Sequence, residues 1–146
     1  MIKEIQGDVF ESGAPIIAHG CNTVGVMGAG VAREMRNRYP VMHKRYQQMC
    51  DDQIFLPGHV FIYSVPEEPF HIANLATQKY PGRNAKLEYI EESMSKLIEF
   101  CETYNISTIA MPRIGAGIGG LDWKDVVVML GKKFGDSTVD IHCYYL

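Results

Sequence analysis

The 146-residue chain has no strong excess of one charge: 14 Lys and Arg stand against 17 Asp and Glu, a formal net charge of −3. A chain this mildly acidic has no global field to draw it onto nucleic acid or an anionic membrane, although a local basic patch stays open. No apolar run approaches the roughly 20 residues of a membrane span, so no membrane association is expected. Met1-Ile2-Lys3-Glu4-Ile5-Gln6-Gly7-Asp8 alternates apolar and polar side chains, with no basic stretch ahead of an apolar one, and no secretion signal is expected. Cysteine is sparse and scattered. Cys21, Cys50, Cys101 and Cys143 show neither CxxC spacing nor a Cys/His ligand pattern, which speaks for reduced, buried thiols in a cytoplasmic protein and against a metal centre. No cofactor is implied. Repeats, linkers and low-complexity tracts are missing too, and 47% hydrophobic with 21% charged residues excludes disorder. The length suits one domain over 1–146.

What is present is an alternation of strands and helices. Ile2 to Gln6 and Pro15-Ile16-Ile17-Ala18-His19 read as strands, the second leading into small residues from Gly20 to Gly30. Val31, Ala32, Met35 and Tyr39 then recur at helical spacing until Pro40, and Met42 to Cys50 forms a further helix. His59 to Tyr63 and Phe70 to Leu75 are short strands around the turn Pro66-Glu67-Glu68-Pro69. Lys86 to Tyr104 is the clearest helix, with Leu87, Ile90, Met94, Leu97, Ile98 and Cys101 on one face. A buried strand, Thr108 to Met111, a glycine loop, a helix from Asp122 to about Phe134 and a strand from Val139 to Tyr145 complete the pattern. It predicts an α/β fold, a mainly parallel or mixed central sheet flanked by helices.

Two glycine-rich loops occupy equivalent places in that pattern. Gly25-Val26-Met27-Gly28-Ala29-Gly30 and Ile114-Gly115-Ala116-Gly117-Ile118-Gly119-Gly120 each lie between a strand and a helix. Glycine admits positive φ and close approach of backbone N–H groups to an anion, and the following helix aims its positive dipole end at the same spot. One such loop serves equally as a tight turn. Two, both at carboxyl ends of strands, suggest a ligand with two linked phosphates. Gly115, Gly117 and Gly120 satisfy G-x-G-x-x-G, and Asp140 lies where a ribose-binding acid belongs. Yet 26 residues follow Gly120, room for one helix and one strand rather than the rest of a dinucleotide-binding sheet. Neither loop ends in Gly-Lys-Ser/Thr, which excludes a P-loop.

Gly7-Asp8-Val9-Phe10, His19-Gly20-Cys21-Asn22, Met27-Gly28-Ala29-Gly30-Val31-Ala32 and Met111-Pro112-Arg113-Ile114-Gly115-Ala116-Gly117 together resemble the macrodomain family in order and spacing. Within it the chain looks similar to the branch holding the terminal ADP-ribose protein glycohydrolase, the antitoxins that remove ADP-ribose from DNA, and the ADP-ribose 1''-phosphate phosphatases. The resemblance implies a three-layer sandwich that binds ADP-ribose or a derivative, with nucleic acid entering only as an ADP-ribosylated substrate. It implies that Asp8 accepts from the adenine amino group beside the Val9 backbone. Gly28, Ala29, Gly30 and Val31 would line the diphosphate and distal ribose, Gly115, Ala116, Gly117 and Ile118 would wrap the diphosphate, and Asn22 would lie near the distal ribose hydroxyls. Bland alternatives stand beside these: Asp8 and Asn22 are both at home in turns, and Asp122 as a helix N-cap.

Catalysis is less sharply indicated. The glycohydrolase and antitoxin members carry a lysine directly after a threonine, where Asn74-Leu75-Ala76-Thr77-Gln78-Lys79 places Gln78; a glutamine forms no Schiff base. The glycohydrolase's aspartate in the second loop aligns with Gly119. His19 matches a histidine implicated in the phosphatases and has two roles open to it: acid or water-positioning group, or a tie between loop and scaffold. His43, His59, His71 and His142 have no nucleophile or metal spacing, and Cys21 has no evident cation or dipole to activate it. The resulting expectation is a hydrolase of an ADP-ribose derivative, removal of the 1''-phosphate preferred, with de-ADP-ribosylation and non-catalytic reading as rivals.

Overall fold

The computed structural model describes residues 1–146. The elements run β1 (Ile2–Gln6), β2 (Ile16–Cys21), α1 (Gly30–Arg38), α2 (Pro40–Asp51), β3 (Val60–Ser64), β4 (His71–Ala76), α3 (Leu87–Thr103), β5 (Thr108–Pro112), α4 (Trp123–Phe134) and β6 (Asp140–Tyr145). The six strands form one sheet in the order β1-β6-β5-β2-β4-β3. All neighbours pair in parallel except β3, which runs antiparallel to β4 at one edge.

Alternation along β2 shows how the layers arise. Ile16 and Ala18 point into a core shared with Ile90, Met94, Leu97 and Leu130, while Ile17 and Cys21 point into another with Met35, Met42, Tyr46 and Phe55. Helices α3 and α4 therefore cover one face and α1 and α2 the other, because every central strand is apolar on both sides. On α3 the predicted stripe is buried from Ile90 to Cys101, with Leu87 half-buried, and Ser93 beside it satisfies its hydroxyl on the Tyr89 carbonyl at 2.8 Å. Pro40 ends α1 and opens α2 as an N-terminal-turn residue, where its missing N–H costs nothing. Asp122 caps α4, its carboxylate accepting from Lys124 N.

The connections place the two glycine loops at one end of the sheet. After β2 the chain passes through α1 and α2 toward β3 and β4; after β5 it passes through α4 to β6 on the other side. Neighbouring strands whose connections diverge open a crevice at their carboxyl ends. Both glycine loops leave the sheet there.

Candidate functional site

A cleft of about 510 Å³ opens at this point. Its walls are Gly28–Ala32 and the Ile114–Ala116, Ile118 and Gly119 stretch; β2's end, His19–Asn22, forms the base, and Thr77 and Gln78 close the far side. Of the predicted binding residues, the cleft gathers Asn22, Gly28, Ala29, Gly30, Val31, Gly115, Ala116 and Ile118. Asp8, Val9 and Gly117 are not on its lining. Val9 is buried in the core under α1 and α2. Asp8 is exposed and accepts from Phe10 N at 2.9 Å, capping a short turn over Val9–Glu11.

The first wall is an uncapped helix start. Ala29 holds the N-cap position without a side-chain bond, and Arg33 N to Ala29 O at 3.2 Å is the first bond of the helix. The N–H groups of Gly28, Ala29, Gly30, Val31 and Ala32 therefore have no acceptor in the protein. In the second wall Gly115, Gly117 and Ile118 N–H are equally free, while Leu121 N to Gly115 O at 2.9 Å closes the turn. Gly115 is required twice over: its φ is +78°, and a Cβ would stand 2.6 Å from Ile90 Cδ1. Donors converging from two loops, one at a helix N-terminus, form an anion cradle.

Asn22 holds the first loop in shape. Its Oδ1 accepts from Val24 N (3.1 Å) and Val26 N (3.3 Å), and its Nδ2 donates to Val26 O at 2.7 Å. The Tyr46 hydroxyl reaches the Asn22 carbonyl at 2.9 Å and Oδ1 at 3.0 Å. The side chain lies on the cleft, but its polar atoms are committed to the turn, the alternative that its residue type allowed.

His19 is 1% exposed, and its Nε2 lies 2.6 Å from Asn74 Oδ1. Asn74 Nδ2 in turn donates to the Phe61 carbonyl at 3.0 Å, which leaves Oδ1 as acceptor and assigns the proton of His19 to Nε2. Burial depresses the imidazole pKa to about 4 against the partial support of Asn74. At neutral pH His19 is thus an uncharged tie between β2 and β4 that also stands at the base of the cleft. Burial pushes the Cys21 thiol well up, and its Sγ sits 3.7 Å from His19 Nε2 with no cation beside it. All four cysteines are free and buried.

Gln78 stands where the glycohydrolase lysine was sought. Its Nε2 donates to Tyr80 O at 2.6 Å and Gly82 O at 3.0 Å, shaping the distal loop. Lys79 is exposed and absent from the cleft lining; its carbonyl is bonded by Thr23 N, and its ammonium sits 5.4 Å from the Tyr80 ring centre. Gly119 is packed so closely that a Cβ would lie 2.9 Å from Ala85 Cβ. Thr77, Pro81, Gly82 and Arg113 also line the cleft and were not singled out from sequence. Asn74 was legible in principle: a lone amide in the apolar strand Ile72–Ala76 needs a buried partner.

A mainly parallel sheet with a cleft at the carboxyl ends of its diverging strands defines an α/β sandwich with a ligand-sized cleft. The Macro domain family model matches residues 18–130, and the chain belongs to the macrodomain family. It is 35% identical over 136 residues to a DNA ADP-ribosyl glycohydrolase of Mycobacterium tuberculosis, covering 92% of this chain and 39% of that protein. The chain thus spans well under half the length of that relative. It is 27% identical to an ADP-ribose 1''-phosphate phosphatase of Lodderomyces elongisporus, covering 99% of this chain and 98% of that one. Among solved structures, the macrodomain of Mycobacterium tuberculosis DarG superposes with a TM-score of 0.89 at 34% identity, covering 100% of this chain and 98% of that chain. No helix is long and apolar enough to cross a membrane.

Proposed function

We propose that the cleft binds ADP-ribose and that the protein is a hydrolase removing the 1''-phosphate from ADP-ribose 1''-phosphate. The observation that carries this reading is the cradle itself: free N–H groups on two walls, with Gln78 rather than a lysine at the distal end. The ligand's diphosphate lies between Gly28–Val31 and Gly115–Ile118, and the distal ribose reaches toward Thr77 and Gln78.

Cys21 stays a buried thiol and His19 is buried with its Nε2 proton held by Asn74, so the attacking group in this reading is water. Its oxygen forms a bond to phosphorus as the bond from phosphorus to the anomeric oxygen breaks. The water proton passes through the phosphoryl group to the departing oxygen, giving ADP-ribose and inorganic phosphate. Transfer of a phosphoryl group through a loose transition state asks the protein mainly for positioning and for donors to the oxygens, both of which this cleft supplies.

A second reading, release of ADP-ribose from DNA, draws on the mycobacterial glycohydrolase and on the Lys79–Tyr80 pair at the distal rim. There an aromatic ring 51% exposed beside a cation suits a nucleic-acid strand. Purified protein incubated in parallel with ADP-ribose 1''-phosphate, ADP-ribosylated DNA and ADP-ribosylated protein separates the readings. Phosphate release from the first alone is expected. Consumption of the DNA or protein adduct alone replaces it with the second, and ADP-ribose binding without turnover of any substrate makes the chain a reader.

A further inference from the structure

We propose that Arg113 is the platform on which the ligand's purine base stacks, so that this residue selects nucleotides over plain ribose phosphates. The inference rests on the reading that the cleft takes ADP-ribose. Arg113 follows β5 at the start of the second loop and lines the cleft. Beyond β5 lie β6 and β1, so Arg113 marks the end of the cleft opposite Gln78, which follows β4. A ligand with its diphosphate in the cradle and its distal ribose at Gln78 brings its base to the Arg113 end. Asp8, directly beyond β1, lies on the same side.

The guanidinium is held before any ligand arrives. Arg113 Nη2 donates to Glu4 Oε1 at 3.0 Å, and the same oxygen accepts from Trp123 Nε1 at 2.7 Å. The Tyr145 ring centre lies 4.4 Å from Arg113 Cζ, and that of Trp123 lies 5.8 Å away. Three residues from β1, β6 and α4 thus fix one partly exposed side chain. Stability gives little reason for this, because exposed ion pairs contribute little to it. Nor is the group set up as an anion site: Glu4 already offsets its charge, while the backbone cradle holds free donors for phosphates. What Arg113 still offers is a flat, immobilised π surface, with Tyr145 beneath it and the cleft beside it. Stacking of a base on such a plane needs no further ordering of the side chain.

Calorimetry with ADP-ribose on four proteins tests this, with thermal melts establishing that each is folded. Arg113→Ala is expected to weaken binding about tenfold, the scale of one base-stacking contact. Arg113→Lys keeps the charge but loses the plane and is expected to weaken binding as much. Arg113→Tyr keeps a plane without the charge and is expected to stay within about threefold of the wild type. The reverse order, lysine tolerated and tyrosine not, assigns a charge contact and overturns the platform. Wild-type binding unchanged by Arg113→Ala overturns it while leaving the ADP-ribose reading intact; a wild type that binds no ADP-ribose removes both.

Discussion

His19 Nε2 and Asn74 Oδ1 stand 2.6 Å apart inside the core beneath α1 and α2, joining two paired strands through side chains. The bond keeps a neutral imidazole where a charged one has no counterion. In the unfolded chain the imidazole titrates near its ordinary value of 6.5, and in the folded protein near 4. Above pH 6.5 both states are neutral and the group adds no pH dependence. Between 6.5 and 4 the unfolded chain binds a proton that the folded chain refuses, so stability falls as pH falls. The expected total is on the order of 3 kcal/mol. Urea unfolding of wild type and His19→Gln at pH 7 and pH 4.5 measures it: the wild type should lose more stability than the variant, and equal losses defeat the assignment.

The same neutral state predicts the pH dependence of turnover. An enzyme whose acid is His19 loses rate through a limb near its pKa; water attack within a donor cradle has no such limb between pH 6 and 8. Initial rates of phosphate release across that range check this: the one limb expected is that of the substrate's own phosphate, at about pH 6, and a further limb lost in His19→Gln defeats it.

Cys21→Ala should retain turnover within about threefold, because a thiol whose pKa is raised by burial is not an attacking group. In the native protein iodoacetamide should leave all four thiols unmodified at pH 7.5, and in urea it should modify all four. Mass spectrometry reads both results.

Two glycine-to-alanine changes should move stability in opposite directions. Gly115→Ala meets Ile90 Cδ1 at 2.6 Å and a φ of +78°, and is expected to cost about 2–4 kcal/mol and to abolish ADP-ribose binding. Gly131→Ala, inside α4 with open space at its Cβ, is expected to stabilise by about 0.5–1 kcal/mol and leave binding unchanged. Thermal melts with and without ligand separate them.

Gly119→Asp should destabilise by about 1–3 kcal/mol because its Cβ meets Ala85 Cβ at 2.9 Å. Adding Ala85→Gly should recover part of that loss. A coupling energy near zero in the four-member cycle counts against the contact as the cause.

The elements were legible because their apolar periodicities are undiluted: α3 carries six apolar residues at helical spacing, and β2 and β4 are apolar on both faces. The position of the glycine loops was legible because each follows an apolar strand and precedes a helical pattern. Side-chain pairing was not. His19 and Asn74 are 55 residues apart and meet only because β2 and β4 are neighbours in register, which no local pattern encodes. The grip of Glu4 on Arg113 and Trp123 likewise depends on β1 pairing with β6 at the edge of the sheet. Asn22 lines the cleft, yet its amide is spent on Val24 and Val26, a commitment visible only once the loop closes.

Strands β2 and β5 are registered at one pair, Ile17 with Ala110, whereas β2 and β4 are registered along six. The most sparsely registered junction of the sheet thus lies between β1-β6-β5 and β2-β4-β3. A diphosphate held as proposed between Gly28–Val31 and Gly115–Ile118 would bridge the loops that leave β2 and β5 and so span this junction.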